Sequence, residues 1–180
     1  MRLFVSLTLS PDVKQALLDE SNTLRQQGKG TFTRAENLHL TLAFIGETAD
    51  LDSAKAALAE ACTETGAFPL TVGGLGRFGD LWWAGVRENE PLEALALAVQ
   101  ASLRHQGISI EERDWTPHIT LVRNYRGPAP VGELVPARTM EVCRVSLMRS
   151  ERSSGRVVYT EVFGIPLGHS GMVHSRTPSK

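Results

Sequence analysis

Two four-residue stretches of this 180-residue chain, His39-Leu40-Thr41-Leu42 and His118-Ile119-Thr120-Leu121, carry one pattern, imidazole, apolar, hydroxyl, apolar. Each follows a strand and a helix written in the same grammar. Arg2 to Leu9 reads as a strand, then Ser10 as a helix N-cap with Pro11 at the first helical position and Asp12 in the first turn. Val13, Ala16, Leu17 and Leu24 recur at helical spacing, so a helix should run to near Gln27 and stop before Gly28 and Gly30. The plan returns at the strand Leu81 to Arg87 and at a helix opened by Pro91 and ended by Gly107, with Leu92, Leu95, Ala96, Val99 and Leu103 on one face. The two prolines and the two motif histidines are each about 80 positions apart, a constant register that points to an internal duplication.

The remaining signals are a helix near Leu51 to Thr65 and strands at Phe68 to Val72, Met140 to Arg149 and Arg156 to Pro166, the last two joined by a turn at Ser153-Ser154-Gly155. Strands and helices mix without strict alternation, so an α+β fold with mainly antiparallel sheet is expected. Residues 1–167 read as one bilobal domain made of pseudo-repeats of about 1–80 and 81–167. Residues 168–180, rich in Gly, Ser, His, Arg and Pro, read as a frayed tail.

Nineteen basic residues against 20 acidic ones leave a formal charge of −1, so the whole surface offers no field for a polyanion and nucleic-acid contact must be local. Cys62 and Cys143 have no metal-type or disulfide-type spacing. A cytoplasmic location and a monomer are expected. No apolar run has the length to span a bilayer.

In a strand, alternation puts His39 and Thr41 on one face and Leu40 and Leu42 on the other, and His118 and Thr120 against Ile119 and Leu121. If the halves pack as a pseudo-twofold pair, both polar faces line one cleft. Paired imidazoles suit displacement at phosphorus, since one takes a proton from the attacking oxygen and the other gives one to the leaving oxygen. The threonine hydroxyls can donate to non-bridging oxygens. Arg123 is placed to add a guanidinium, although strict alternation sends it to the far face unless the strand ends or bulges there.

The segments Glu36-Asn37-Leu38-His39-Leu40-Thr41-Leu42-Ala43-Phe44-Ile45-Gly46-Glu47 and Thr116-Pro117-His118-Ile119-Thr120-Leu121-Val122-Arg123 resemble the two signature regions of the 2H phosphoesterases, and within them those of the RNA 2',3'-cyclic phosphodiesterases, also called 2'-5' RNA ligases or LigT-like proteins. The resemblance runs from Arg2 to Leu167. It implies two antiparallel sheets facing across a cleft with helices outside, and hydrolysis without a metal or other cofactor. It makes His39 the proton donor, His118 the proton acceptor, Thr41, Thr120 and Arg123 the phosphate contacts, and Phe44 a stacking surface for the terminal base. The implied partner is RNA ending in a 2',3'-cyclic phosphate, such as tRNA halves or short oligonucleotides. The implied product is a 2'-phosphomonoester, and the reverse reaction would form a 2'-5' linkage.

Competing readings remain open. A non-catalytic RNA-end binding module would keep the cleft for recognition only, and a metal-assisted hydrolase would need a third ligand that neither motif contains. His105, His169 and His174 read as structural. Gly74-Leu75-Gly76-Arg77-Phe78-Gly79 matches a dinucleotide fingerprint, but a strand follows it where a helix is required. Arg149, Arg152 and Arg156 surround a hairpin turn that either guides an RNA strand or is merely solvated. Trp115 is a base-stacking surface or part of the core, and of Trp82 and Trp83 one is expected in the core.

Overall fold

The structure, a computed structural model, describes residues 1–112, 114–130 and 135–168; the expected tail from residue 169 on, with His169 and His174, lies outside the described residues. The elements are β1 (Arg2–Thr8), α1 (Pro11–Gln27), β2 (Lys29–Phe32), β3 (His39–Glu47), α2 (Leu51–Cys62), β4 (Phe68–Phe78), β5 (Leu81–Val86), α3 (Glu90–His105), β6 (His118–Arg126), β7 (Arg138–Val142), β8 (Arg144–Ser153) and β9 (Arg156–Pro166). Local chemistry sets both long helices where the sequence places them. The Ser10 hydroxyl accepts from the Val13 N–H, and the Asn89 carbonyl oxygen of the side chain accepts from the Leu92 N–H, each next to a proline in the first turn.

Two antiparallel sheets result, ordered β3-β1-β8-β9 and β2-β6-β5-β4-β7. The repeated plan is visible in them: β1 pairs with β3 in the first sheet as β5 pairs with β6 in the second. Each sheet also borrows from the other half of the sequence, β8 and β9 joining the first and β2 and β4 the second. Helices α2 and α3 pack on each other and on the first sheet, and α1 packs on the second. Leu40, Leu42, Ile119 and Leu121 are fully buried in the core, on the opposite side of their strands from the motif histidines.

Three expectations are corrected. The single strand expected from Met140 to Arg149 is two strands in different sheets, β7 beside β4 and β8 between β1 and β9. Val142 pairs with Phe68 of β4 and Val145 with Ile165 of β9, so the chain crosses between sheets at the exposed Cys143. Helix α2 stops at Cys62 rather than Thr65, where the Thr63 and Thr65 hydroxyls donate back to the carbonyls of Ala59 and Ala61. Strand β4 continues past Val72 to Phe78 through a bulge at Gly74, whose φ of 77° suits glycine. Strand β2 was not expected at all, because Gly28 and Gly30 read as a stop signal. A Cβ on Gly30 would sit 2.6 Å from Val122 Cγ2, so the glycine is there to let β2 lie close on β6.

Candidate active site

Both motif histidines open their strands and are held in the same way. The Nδ1–H of His39 donates to the Asn37 carbonyl at 2.6 Å, and the Nδ1–H of His118 donates to the Thr116 carbonyl at 2.8 Å. A carbonyl only accepts, so Nδ1 carries the proton in either charge state and Nε2 is left to exchange one. His39 Nε2 stands 3.0 Å from Thr41 Oγ1.

Both strands then bulge at the same offset. Ser6 lies opposite Thr41 and Val5 opposite Ala43, so Leu42 is an extra residue in β3. Trp83 lies opposite Thr120 and Trp82 opposite Val122, so Leu121 is the extra residue in β6. A bulge reverses the alternation beyond it. Phe44 and Arg123, each five positions after its histidine, are thereby returned to the histidine side.

A cavity of about 460 Å³ between the sheets is lined by Thr41 and Phe44 from β3, by His118 and Arg123 from β6, and by Phe78 and Trp115. Phe44 is 43% exposed, an apolar ring open to a ligand. His39 stands behind Thr41, half-buried, and neither it nor the half-buried Thr120 lines the cavity itself. Burial lowers the His39 pKa from its ordinary 6.5; the bond to the Asn37 carbonyl opposes that, and the positive charges of His118 and Arg123 lower it further. The two histidines therefore act on one electrostatic space across the sheets.

Aromatic rings surround each imidazole. Phe4 lies 4.9 Å and Tyr159 5.2 Å from the His39 ring; Phe78 lies 5.2 Å and Trp83 6.0 Å from that of His118. Alternation along β1 makes Phe4 legible, but Tyr159 arrives from a distant hairpin and only tertiary structure reveals it. Trp115 is neither a simple core residue nor only a cavity wall. Its Nε1–H donates to the Thr41 carbonyl at 3.0 Å, and the Gln100 side chain donates to the Leu42 carbonyl at 3.1 Å, so together they close the open edge of β3. Trp82 and Trp83 are both half-buried.

Arg149 and Arg152 do not share a face. Arg149 lies opposite the buried Leu3, on the helix-covered side of the first sheet, and pairs with Glu151 at 3.1 Å; Arg152 lies opposite Val157 on the other side. His105, at the end of α3, pairs with Glu60 at 3.3 Å. Among the described residues no three His, Cys, Asp or Glu side chains gather as a metal site, and no helix is long and apolar enough to cross a membrane.

The family model of the 2'-5' RNA ligase superfamily matches residues 11–154. The chain belongs to that superfamily, the 2H phosphoesterases. It is 33% identical over 141 residues to an RNA 2',3'-cyclic phosphodiesterase of Geobacillus stearothermophilus, covering 71% of this chain and 43% of that protein, so it spans less than half of that relative's length. A Thermotoga maritima protein of the same name is 33% identical over 132 residues, 68% of this chain and 70% of its own. The crystal structure of E. coli LigT complexed with 3'-AMP superposes with a TM-score of 0.76 at 26% identity, over 92% of this chain and 96% of that one. The architecture is thus that of the superfamily, as the doubled motif implied.

Proposed function

We propose that the chain opens RNA 2',3'-cyclic phosphodiester ends by two-histidine acid–base catalysis that needs no metal. The observation that carries this is the matched pair of imidazoles, each anchored through Nδ1 to the carbonyl two residues before it, with Nε2 left to exchange a proton. The shared name of the relatives supports the substrate class.

The step balances with groups of this chain alone. His118 Nε2 takes a proton from water as its oxygen bonds to phosphorus. The bond from phosphorus to the 3'-oxygen breaks, and His39 Nε2–H supplies the proton that the leaving oxygen needs, leaving a 2'-phosphomonoester. Thr41, Thr120 and Arg123 donate to the non-bridging oxygens, where charge is concentrated. The cavity suits the terminal nucleoside, with Phe44 against its base. With an RNA 5'-hydroxyl in place of the attacking water, the same step, with the 3'-oxygen leaving, forms a 2'-5' linkage.

The test offers a short oligonucleotide ending in a 2',3'-cyclic phosphate and identifies the oxygen that keeps the phosphate. The expected product is the 2'-phosphate, with turnover unchanged by a chelator and lowered by a factor on the order of a thousand or more in His39→Ala and in His118→Ala. Near-normal rates in both variants overturn the mechanism. Tight, salt-dependent binding with no product identifies a recognition module instead.

A further inference from the structure

The first sheet brings its two outermost strands together. In the order β3-β1-β8-β9, β3 and β9 are three strand spacings apart, about 14 Å if the sheet were flat. Yet Tyr159 of β9 lies with its ring centroid 5.2 Å from that of His39, at 86°. The sheet therefore curls until β9 arches over the start of β3. Phe4, from β1 between them, completes the wall, 4.9 Å from His39 and 4.9 Å from Tyr159. At the rim the Asn37 side-chain N–H donates to the Val157 carbonyl at 3.0 Å, two residues from Tyr159. The backbone carbonyl of the same Asn37 accepts the Nδ1–H of His39.

We infer that Asn37 is a latch, and with Tyr159 a pair of positioning residues: Asn37 fastens the β8–β9 hairpin over the first motif, and Tyr159 holds the His39 ring at the angle its proton transfer requires. One residue thus fixes the imidazole through its main chain and the wall beside that imidazole through its side chain. The edge-on contact is directional, because the positive rim of one ring meets the negative face of the other. Without the hairpin Phe4 would be the one aromatic ring left beside His39, and the angle of the imidazole would rest on the bonds to the Asn37 carbonyl and Thr41 Oγ1 with water admitted to the open side. A misplacement of about 1 Å in a proton-transfer group is enough to cost about a hundredfold in rate. This role rests on the two-histidine reading of the site, but the closure of the sheet over His39 is a feature of the fold and is measurable without turnover.

Two readouts test it in the full chain. The first is steady-state kinetics on a 2',3'-cyclic nucleotide. Asn37→Ala and Tyr159→Ala should each lower kcat at least tenfold while KM changes less than threefold, and Tyr159→Phe, which keeps the ring, should recover most of what Tyr159→Ala loses. The second is titration of the His39 ring by NMR. Lifting the hairpin admits water, so in both alanine variants the His39 pKa should rise toward 6.5, and in Tyr159→Phe it should stay near that of the parent. If the parent itself shows no turnover, the catalytic reading fails while the titration still decides the latch. Unchanged His39 titration in both alanine variants, or a phenylalanine variant no better than alanine in either readout, overturns it. Should Asn37→Ala fail to fold, the Tyr159 pair alone carries the decision.

Discussion

The proposed mechanism asks His39 to deliver a proton from a setting that discourages it from holding one. Burial, and after it the charges of His118 and Arg123, lower its pKa below 6.5 in the free protein. A group lowered in this way loses its proton as the pH rises through a value under 6.5, so at pH 7 most free molecules carry His39 neutral. A cyclic phosphodiester brings one negative charge into the same space, opposing the two positive ones and drawing the pKa back up. The donor role therefore predicts a separation between two pH profiles. The limb that reports His39 should have its midpoint below 6.5 in kcat/KM, which follows the free enzyme, and at higher pH in kcat, which follows the complex. The check is a pair of profiles on one cyclic nucleotide. A midpoint that is the same in the two profiles would mean that the charge of the phosphate does not reach His39.

The bulges at Leu42 and Leu121 decide which side chains the strands deliver to the cleft. Alternation was legible in the sequence and put the histidines and threonines on one face correctly. It sent Arg123 the wrong way, because nothing in Leu121-Val122 says that both will be buried side by side; that depends on how β5 pairs with β6. The same ignorance of partners hid β2 and merged β7 with β8, whereas the ends of α1 and α3 were readable because capping is settled within a few residues of chain. The bulge returns Arg123 to the lining of the cavity, and in the proposed mechanism it grips the phosphate through two parallel N–H groups. Arg123→Ala should lower kcat/KM by about 10- to 100-fold, the worth of one or two charge-assisted hydrogen bonds. Arg123→Lys should recover only part of this, since an ammonium supplies charge without the planar fork. Steady-state rates of the two variants on a cyclic nucleotide measure both. A loss below about twofold in Arg123→Ala would mean that the bulge brings the side chain to the cleft without bringing it to the phosphate.

The repeat in the sequence and the sheets in space divide the chain differently. Constant spacing between prolines and histidines suggested halves meeting near residue 80, and each half does supply a strand–helix–strand unit. Neither half completes a sheet, however. The first sheet needs β8 and β9 from the second half to cover β1, and in the second sheet β5 lies between β6 and a β4 drawn from the first half. Helix α1 leaves the first sheet to pack on the second, and α3 leaves the second to pack on the first. Motif spacing could not show this exchange, because it records order along the chain and not which edges remain open for a partner. Its consequence is cooperativity: unfolding one lobe strips strands from the other, so no stable half-folded state is available. Heating the full chain should give one transition whose calorimetric and van't Hoff enthalpies agree. Cutting the chain between Asp80 and Leu81 should leave two fragments that are separately unfolded, since the first carries β4 without its β5 and β7 partners and the second carries β8 without β1. Far-ultraviolet circular dichroism of each fragment and of their mixture measures this. A native-like spectrum from either fragment alone would show that a half sustains its own core, and the lobes would then have to be treated as independent folding units joined only at the cleft.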